Sequence, residues 1–288
     1  MKQWDEVDFY LEDLKSKFAK IDPSDYYLSY SGGRDSHFLY WFIKEYAKID
    51  GIEVVGCNTY MEHPDILKRI KENSDTLLFP KLKPMEIKEK HGIPCFSKHQ
   101  DDFIDRYQRG SRAPSTMLRI HGGGDGNWEK FVINNKARKL LLDGELHKVS
   151  PKCCTYLKKE PFKEYEKKSH KKAILGVRGQ ESVMRKMRYK SCFMSNGKFT
   201  PLYDLSNELF EAIMDKYEIE SPDVYNHVNQ TGCMGCPYGS WKHAVEPELM
   251  LVTDNQFNFI TNYFKESYQV LKIDIEKIRR ERDDSKEV

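Results

Sequence analysis

A short loop of serine and glycine, placed between a strand pattern and a helix pattern, constrains the fold more than any other feature of the sequence. Residues 26–30 form a short apolar run rich in aromatic side chains, and residues 35–47 carry apolar side chains at helical spacing. Residues 31–33, Ser-Gly-Gly, form a tight turn between them. Strand and helix patterns continue to alternate as far as residue 79. This alternation predicts a parallel α/β sheet with right-handed crossovers.

The predicted elements extend along the whole chain. Strands are predicted at residues 26–30, 51–58, 76–79 and 172–177, and helices at residues 4–20, 35–47, 64–73, 96–109, 154–169, 181–189, 206–217 and 255–270. We therefore expect a parallel sheet of about five strands with flanking helices and a helical C-terminal segment. The glycine run at residues 121–126 predicts a flexible connector, and residues 275–288 are expected to form a charged tail.

Length and composition support a packed core. The chain has 288 residues, of which 39% are hydrophobic and 12% aromatic, and this excludes a disordered chain. No run of about 18 apolar residues could span a bilayer, and residues 1–9 lack the apolar stretch of a secretory signal. We expect a cytoplasmic protein without membrane contact, with one domain over residues 1–240, an insertion around 110–150 and a helical extension at 241–288.

The loop between the first strand and the first following helix has the chemistry of an anion site. Residues 31–36 are Ser-Gly-Gly-Arg-Asp-Ser. The two glycines let successive backbone N–H groups converge on an anion, and the helix N-terminus adds partial positive charge. The hydroxyls of Ser31 and Ser36 can donate to the same oxygens. The spacing matches neither the Walker loop nor the Rossmann fingerprint.

Charge is distributed unevenly along the chain. The formal net charge is +2, but residues 148–200 hold fifteen Lys and Arg against four Glu, a local charge of +11 against −9 elsewhere. Such density indicates a surface that meets phosphate, sulfate or nucleic acid. The lysines at 167, 168, 171 and 172 are better explained as a solvated helix face, whereas the later arginines are candidates for anion binding.

Four of the seven cysteines form two pairs, Cys153-Cys154 and Cys233-x-x-Cys236. A Cys-x-x-Cys turn directs two thiolates to one centre, and Gly235 is expected to let backbone N–H groups approach the sulfurs. Four thiolates suit an iron–sulfur cluster or zinc. Adjacent cysteines aim their side chains apart, which favours the wider 4Fe-4S cluster over zinc. A redox-active or buried Cys-x-x-Cys beside an unrelated Cys-Cys pair is the third interpretation.

Three further segments follow the loop along the chain, at residues 152–162, 176–185 and 232–239. With the loop they resemble the phosphoadenosine phosphosulfate (PAPS) reductase family of the PP-loop, adenine nucleotide α-hydrolase-like superfamily, over roughly residues 26 to 240. The cysteine pairs are similar to its iron–sulfur branch, which includes adenylyl-sulfate reductases and the ATP pyrophosphatases that insert sulfur during DNA phosphorothioation.

The resemblance implies a set of site residues. Nucleotide and phosphate binding would fall to Ser29, Ser31, Gly32, Gly33, Arg34, Asp35, Ser36, Asn58, Arg178, Glu181 and Arg185. Asn58 would flank the adenine or ribose, and Glu181 would orient Arg178 or accept a ribose hydroxyl, or would simply be a favourable acid at a helix N-terminus. The cluster would be held by Cys153, Cys154, Cys233 and Cys236. Lys158 and Arg178 would be catalytic, and Mg²⁺ would accompany ATP.

The sequence departs from the reductases of this family in two ways. Those enzymes attack sulfate sulfur with a cysteine near the C-terminus, whereas no cysteine follows Cys236 in this sequence. In the iron–sulfur reductases a basic residue stands beside the lysine that Lys158 matches, and here Leu157 replaces it. We therefore expect an ATP pyrophosphatase that transfers sulfur to a nucleic-acid or protein acceptor, served by a sulfur-donor or reductant protein. A PAPS or adenylyl-sulfate reductase and a non-enzymatic nucleotide-binding iron–sulfur partner subunit are the alternatives. A homodimer is left open.

Overall fold

A computed structural model describes residues 5–123, 132–181, 183–228 and 231–285. Within them the chain divides into two compact units, one drawn from residues 1–58, 64–79 and 161–223, and the other from residues 59–63, 80–160 and 224–288. The domain boundary expected at residue 240 lies inside the second unit. No helix in the described ranges is long and apolar enough to cross a membrane.

The first unit contains a four-stranded parallel sheet, which confirms the predicted α/β class with one strand fewer than expected. Its strands are β1 (Tyr26–Tyr30), β2 (Glu53–Cys57), β3 (Thr76–Leu78) and β4 (Lys172–Ile174). Their order in the sheet is β3-β2-β1-β4. Leu28 of β1 pairs with Val54 on one side and with Ile174 on the other. The order therefore reverses between β1 and β4, which creates a topological switch point at their carboxyl ends.

Helices flank this sheet as the periodicity predicts. They are α1 (Glu6–Phe18), α2 (Arg34–Trp41), α3 (Pro64–Asn73), α8 (Glu160–Ser169), α9 (Val183–Arg188) and α10 (Asn207–Lys216). On one face of the sheet the buried Tyr27 ring packs edge-on against Tyr165 and stacks on Phe162, both from α8. Phe18 packs against Phe42 and Phe199 at centroid distances of 5.3 and 5.2 Å. These aromatic contacts anchor the sheet between its helices.

The second unit is helical in its described part. Its helices are α4 (Pro84–His91), α5 (Lys98–Gln108), α6 (Pro114–His121), α7 (Asn135–Leu142), α11 (Val245–Met250), α12 (Asp254–Tyr263), α13 (Lys265–Leu271) and α14 (Ile275–Asp284). Of these, α4, α6, α7 and α11 were not predicted, because each has only six to eight residues and so presents at most two full apolar repeats. The connector predicted at residues 121–126 lies partly outside the described residues.

The expectation of a charged tail after residue 275 is wrong. Residues 275–284 form α14, whose Ile278 is buried in the core of the second unit. The Arg282 guanidinium is also buried, and it donates to the carbonyl oxygens of Leu249 and Val252. The many charged residues of this helix made its one apolar face difficult to recognise in the sequence. The buried arginine donates to carbonyl oxygens that would otherwise lack hydrogen-bond donors.

Candidate functional site

The loop of residues 31–36 joins β1 to α2 at the switch point of the sheet. Its Ser36 hydroxyl donates to the carbonyl oxygen of Gly33 over 3.0 Å and accepts the Ser31 N–H over 3.2 Å. The Ser31 and Ser36 hydroxyl oxygens are 3.0 Å apart. Ser36 is buried and Ser31 is exposed, so Ser36 closes the loop from inside while Ser31 faces solvent.

Two glycines permit close backbone packing around this loop. Gly32 has φ of +71°, and a Cβ there would lie 2.9 Å from the carbonyl oxygen of Ile66 in α3. Gly176, just after β4, would place a Cβ 2.8 Å from the carbonyl oxygen of Asp35. The segment that leaves β4 therefore lies directly against the first turn of α2. Glycine is required at both positions, and at Gly32 also for its left-handed backbone.

Arg178 brings the later segment into this site. Its Nε donates to Oδ1 of Asp35 over 2.5 Å, and its Nη1 donates to Oδ1 of Asn207 over 2.7 Å. The guanidinium carbon lies 4.1 Å from the centroid of the Phe210 ring. Only 8% of Arg178 is exposed. The predicted meeting of the loop with Arg178 is therefore present, with the guanidinium held rigidly on three sides.

Arg34 occupies a neighbouring position on the same ring. Its Nε donates to the Ser221 hydroxyl over 3.0 Å, and its Nη2 pairs with Glu211. Its guanidinium carbon lies 5.2 Å from the centroid of Phe210, the ring that also carries Arg178. Phe210 thus supports two arginines beside the loop. Its apolar helical spacing predicted a core residue, but nothing in the sequence indicated this second role.

The other predicted nucleotide ligands belong to the same unit. Ser29 is half-buried in β1, and Asn58 follows β2, where its N–H donates to the Leu78 carbonyl oxygen. Arg185 is half-buried on α9. The side chain of Glu181 lies outside the part that the structure describes. These positions are compatible with the carboxyl edge of the sheet but provide no contact that tests their roles.

A polar cleft of about 430 Å³ in the first unit was not predicted. His37 of α2 and Arg69 of α3 line it, together with Ser221. The Tyr30 hydroxyl bonds Nδ1 of His37 over 2.9 Å and accepts from Asn73, while burial lowers the pKa of His37 to about 4. The imidazole is therefore neutral at physiological pH. The lining residues come from distant segments, so sequence spacing could not reveal the cleft.

The four predicted thiols lie together in the second unit, close enough to alter each other's pKa values. A hydrogen bond from Cys153 and then the charges of Lys98, Lys158 and Lys159 lower the pKa of Cys154 to about 5, although burial opposes this. The same hydrogen bond and burial raise the pKa of Cys153. Of the two adjacent thiols, Cys154 is therefore the one that loses its proton more readily.

The Cys-x-x-Cys turn brings the other two thiols into this set. Burial raises the pKa of Cys233 to about 11 and also raises that of Cys236, and the charges of neighbouring cysteines act in the same direction. Gly235 adopts φ of +57°, as expected. Its N–H donates to Glu248 over 3.0 Å, however, and the Met234 N–H donates to the Met61 carbonyl oxygen over 2.7 Å. The Gly235 and Met234 N–H groups therefore bind oxygen, whereas the Tyr238 N–H approaches the Cys236 sulfur.

Lys158 lies among the thiols, as predicted. The negative charge of Cys233 is the largest influence that raises the pKa of Lys158, with Glu62, Cys154 and Cys236 acting in the same direction. The ammonium group therefore stays charged despite its burial. Glu62 is itself buried and accepts the Thr59 N–H over 3.0 Å. Glu62 was not predicted, because its place in the site depends on folding rather than on spacing to a cysteine.

The donor set suits a metal centre. Four thiols, one of them acidified, face a lysine that compensates negative charge, and thiolates are the ligands of both zinc and iron–sulfur clusters. Within the described ranges, no three His, Cys, Asp or Glu side chains are placed to hold a single metal ion. Ligation by the four cysteines is therefore a proposal, taken up below.

The three remaining cysteines are not activated nucleophiles. Cys95 is fully buried, and this burial raises its pKa to about 12. Burial also raises the pKa of Cys192. Cys57 is buried at the end of β2. A nucleophilic thiol needs a lowered pKa and access to its substrate, and none of these three shows both.

Comparison with known proteins yields a distant likeness among solved structures. No protein-family model matches the chain, and no curated protein does. Among the solved structures that match is phosphoadenylyl-sulfate (PAPS) reductase from Candida auris in its phosphate complex, at 13% identity and a TM-score of 0.37. The match covers 77% of this chain and 92% of that one. A likeness this distant assigns no activity, so function must be argued from the residues.

Proposed function

We propose that the chain is an adenine-nucleotide-binding enzyme that cleaves ATP to AMP and pyrophosphate and so activates an acceptor oxygen for replacement by sulfur. The observation that carries this proposal is the pairing of Arg178 with Asp35 where the loop opens α2, at the switch point of the sheet. Open parallel sheets bind ligands at this position. The resemblance of residues 31–36 to the PP-loop specifies a nucleotide.

Each group at the loop has a defined part in this chemistry. The backbone N–H groups at the start of α2 would bind phosphate oxygens, and the helix dipole would stabilise their charge. Arg178 would pair with the phosphoryl oxygens as charge develops on the leaving pyrophosphate. Asp35 is the one carboxylate among residues 31–36 and would hold Mg²⁺, which neutralises the leaving group.

The four cysteines would hold a 4Fe-4S cluster, which supplies sulfur or electron chemistry when bound. Lys158 would offset part of the negative charge of four thiolates, and its raised pKa keeps that compensation in place. The turn at Met234 and Gly235 is fixed by backbone hydrogen bonds to Met61 and Glu248, so Cys233 and Cys236 would need little rearrangement to bind. Zinc is the alternative occupant.

The state of the other cysteines favours pyrophosphate chemistry over sulfate reduction. A PAPS or adenylyl-sulfate reductase needs a thiolate that attacks sulfur, and Cys57, Cys95 and Cys192 are buried or have a raised pKa. Adenylation needs no such thiol, because the acceptor oxygen itself attacks the α-phosphate. We therefore place the reductase second, and a nucleotide-binding partner subunit without turnover third.

The acceptor would be nucleic acid or protein. Exposed cations of the basic segment, among them Lys163, Lys186, Arg188 and Lys190, would meet a phosphate backbone, whereas Lys171 and Lys198 are already paired with Glu53 and Glu166. A sulfur-donor or reductant protein would complete the reaction.

Anaerobic purification with iron and sulfide analysis, followed by binding of ATP, adenylyl sulfate and PAPS, tests this proposal. We expect bound iron and sulfide, preference for ATP, and release of pyrophosphate in the presence of an acceptor. Asp35→Asn should abolish that release, whereas the exposed Asp25→Asn should not. Sulfite release from either sulfonucleotide would instead establish a reductase. Tight nucleotide binding without pyrophosphate from any acceptor would establish a partner subunit, and one equivalent of zinc without sulfide would contradict the cluster.

A further inference from the structure

Tyr263 is the last residue of α12 and is fully buried in the core of the second unit. Its ring stacks on Phe259 at a centroid distance of 5.9 Å and meets Phe264 edge-on at 4.7 Å. Lys88 lies 5.9 Å from the ring centroid, and its ammonium also binds the Tyr263 carbonyl oxygen over 2.8 Å. The ring is therefore held in one orientation.

The hydroxyl of this fixed ring has no hydrogen-bond partner among the residues that the structure describes, although its oxygen is shielded from solvent. Cys153 belongs to the same packed core as Tyr263, and Cys154 and Cys233 pack against that core. The charges of all four cysteines act on this hydroxyl and, after burial, raise its pKa. The hydroxyl therefore lies within electrostatic reach of the four thiols, in the core that Cys153, Cys154 and Cys233 also contact.

Tyr268 provides a contrast within the same core. It is as buried as Tyr263, but its hydroxyl donates to the carbonyl oxygen of Gly235 inside the Cys-x-x-Cys turn. That hydroxyl has a structural task that the protein alone satisfies. Buried hydroxyls in proteins are nearly always paired, so the missing acceptor at Tyr263 points to a group that the polypeptide does not supply.

We propose that the Tyr263 hydroxyl donates a hydrogen bond to a sulfur atom of the centre held by Cys153, Cys154, Cys233 and Cys236, and thereby stabilises the reduced state of that centre. This inference rests on the proposed cluster. Reduction adds negative charge to the sulfurs, and a hydrogen bond donated to them is stronger in the reduced state. Tyr263 is a positioning and tuning residue, without contact to the reacting nucleotide.

The test compares the full-length protein with Tyr263→Phe and the matched Tyr268→Phe, all purified anaerobically. Iron and sulfide content is measured first. The ratio of reduced to oxidised cluster is then followed by electron paramagnetic resonance at fixed potentials. Denaturant unfolding of the metal-free forms provides a readout that does not depend on the cluster.

We expect Tyr263→Phe to retain iron and sulfide and to show about a two- to tenfold lower ratio of reduced to oxidised cluster at a given potential, the worth of one hydrogen bond. Its metal-free form should unfold at the same or a higher denaturant concentration, because an unpaired buried hydroxyl has been removed. Tyr268→Phe should unfold at a lower concentration, because the Gly235 carbonyl oxygen loses its donor.

The outcomes separate this inference from the proposed function. A wild-type protein that takes up no iron or sulfide overturns the cluster and this inference with it, whereas ATP cleavage is judged separately by the release of pyrophosphate. An iron–sulfur protein whose reduction is unchanged in Tyr263→Phe overturns the role of Tyr263 alone. A metal-free Tyr263→Phe that is destabilised as much as Tyr268→Phe shows that the hydroxyl has a partner within the polypeptide, and this also overturns the inference.

Discussion

The Nε of Arg178 lies 2.5 Å from Oδ1 of Asp35 and so joins the segment after β4 to the first turn of α2. The two residues are 143 positions apart in the sequence, yet they meet at the one place where the strand order of the sheet reverses. A nucleotide bound there would contact a guanidinium and a carboxylate whose geometry is already set.

Arg178→Lys should weaken ATP binding about tenfold or more, because a lysine cannot keep the bonds to Asp35 and Asn207 and also present a planar fork to phosphate. Isothermal titration calorimetry measures the change in Kd. Arg280→Lys, at an exposed position on α14, is the matched control and should leave Kd unchanged. Equal affinities for all three proteins would remove Arg178 from the binding site.

Gly32→Ala should destabilise the protein more than Gly110→Ala does. Both glycines have positive φ, at +71° and +87°, so each substitution costs about 1–2 kcal/mol for the left-handed backbone. Only at Gly32 does the new methyl group overlap α3, at 2.9 Å from the Ile66 carbonyl oxygen, since nothing lies within 4 Å at Gly110. Overpacking should add about 1–3 kcal/mol, measured by urea unfolding. A similar loss in both variants would show that the loop does not pack tightly on α3.

His147 should make the protein less stable in mild acid. Burial lowers its pKa to about 4, and its Nε2 lies 2.9 Å from the Ser267 hydroxyl oxygen. The unfolded chain binds a proton near pH 6.5 that the native protein does not, so the free energy of unfolding falls as pH drops from 6.5 towards 4. The slope is up to about 1.4 kcal/mol per pH unit.

Urea unfolding of the metal-free protein at pH 7 and pH 5 measures this effect. His147→Gln should lose less stability between the two conditions than the wild type, and His170→Gln, at an exposed position, should behave like the wild type. The same pH dependence in all three proteins would assign the acid sensitivity to other groups.

Glu248 should act in the opposite direction. Burial raises its pKa to about 7, although its carboxylate accepts the Gly235 N–H. Between about pH 4.3 and 7 the native protein keeps a proton that the unfolded chain has lost, so stability falls as pH rises through this window. Glu248→Gln retains an acceptor for Gly235 without the charge. We expect it to become more stable relative to the wild type from pH 5 to pH 8 in metal-free unfolding experiments; a constant difference would contradict the prediction.

The sheet and the loop were predictable because they depend on local patterns. The apolar run of β1, the two glycines and the helical spacing of α2 each specify a conformation within a few residues, and the structure confirms that order. The contacts that define the site depend on folding instead. Phe210 contacts two arginines beside the loop, and Glu248 accepts the Gly235 N–H. Neither residue belongs to a motif that includes the loop or the cysteines, so nothing in the sequence indicated these contacts.

The clearest errors of prediction came from giving charge or a motif more weight than the burial of individual residues. Residues 275–284 are dense in charge, yet Ile278 and the aliphatic part of Arg282 suffice to bury one face of α14. The glycine of the Cys-x-x-Cys turn was correctly expected to need a special backbone conformation. Its N–H group donates to the buried carboxylate of Glu248. That carboxylate needs a hydrogen-bond donor only because folding buries it.

Each unit is assembled from three separate stretches of sequence, and the last stretch carries Cys233 and Cys236. During synthesis Cys153 and Cys154 would leave the ribosome about 80 residues before Cys233, so half of the thiol set is made before the other half. A centre on these four residues could be loaded only after Cys236 has been synthesised. No single cut in the chain could therefore release either unit intact.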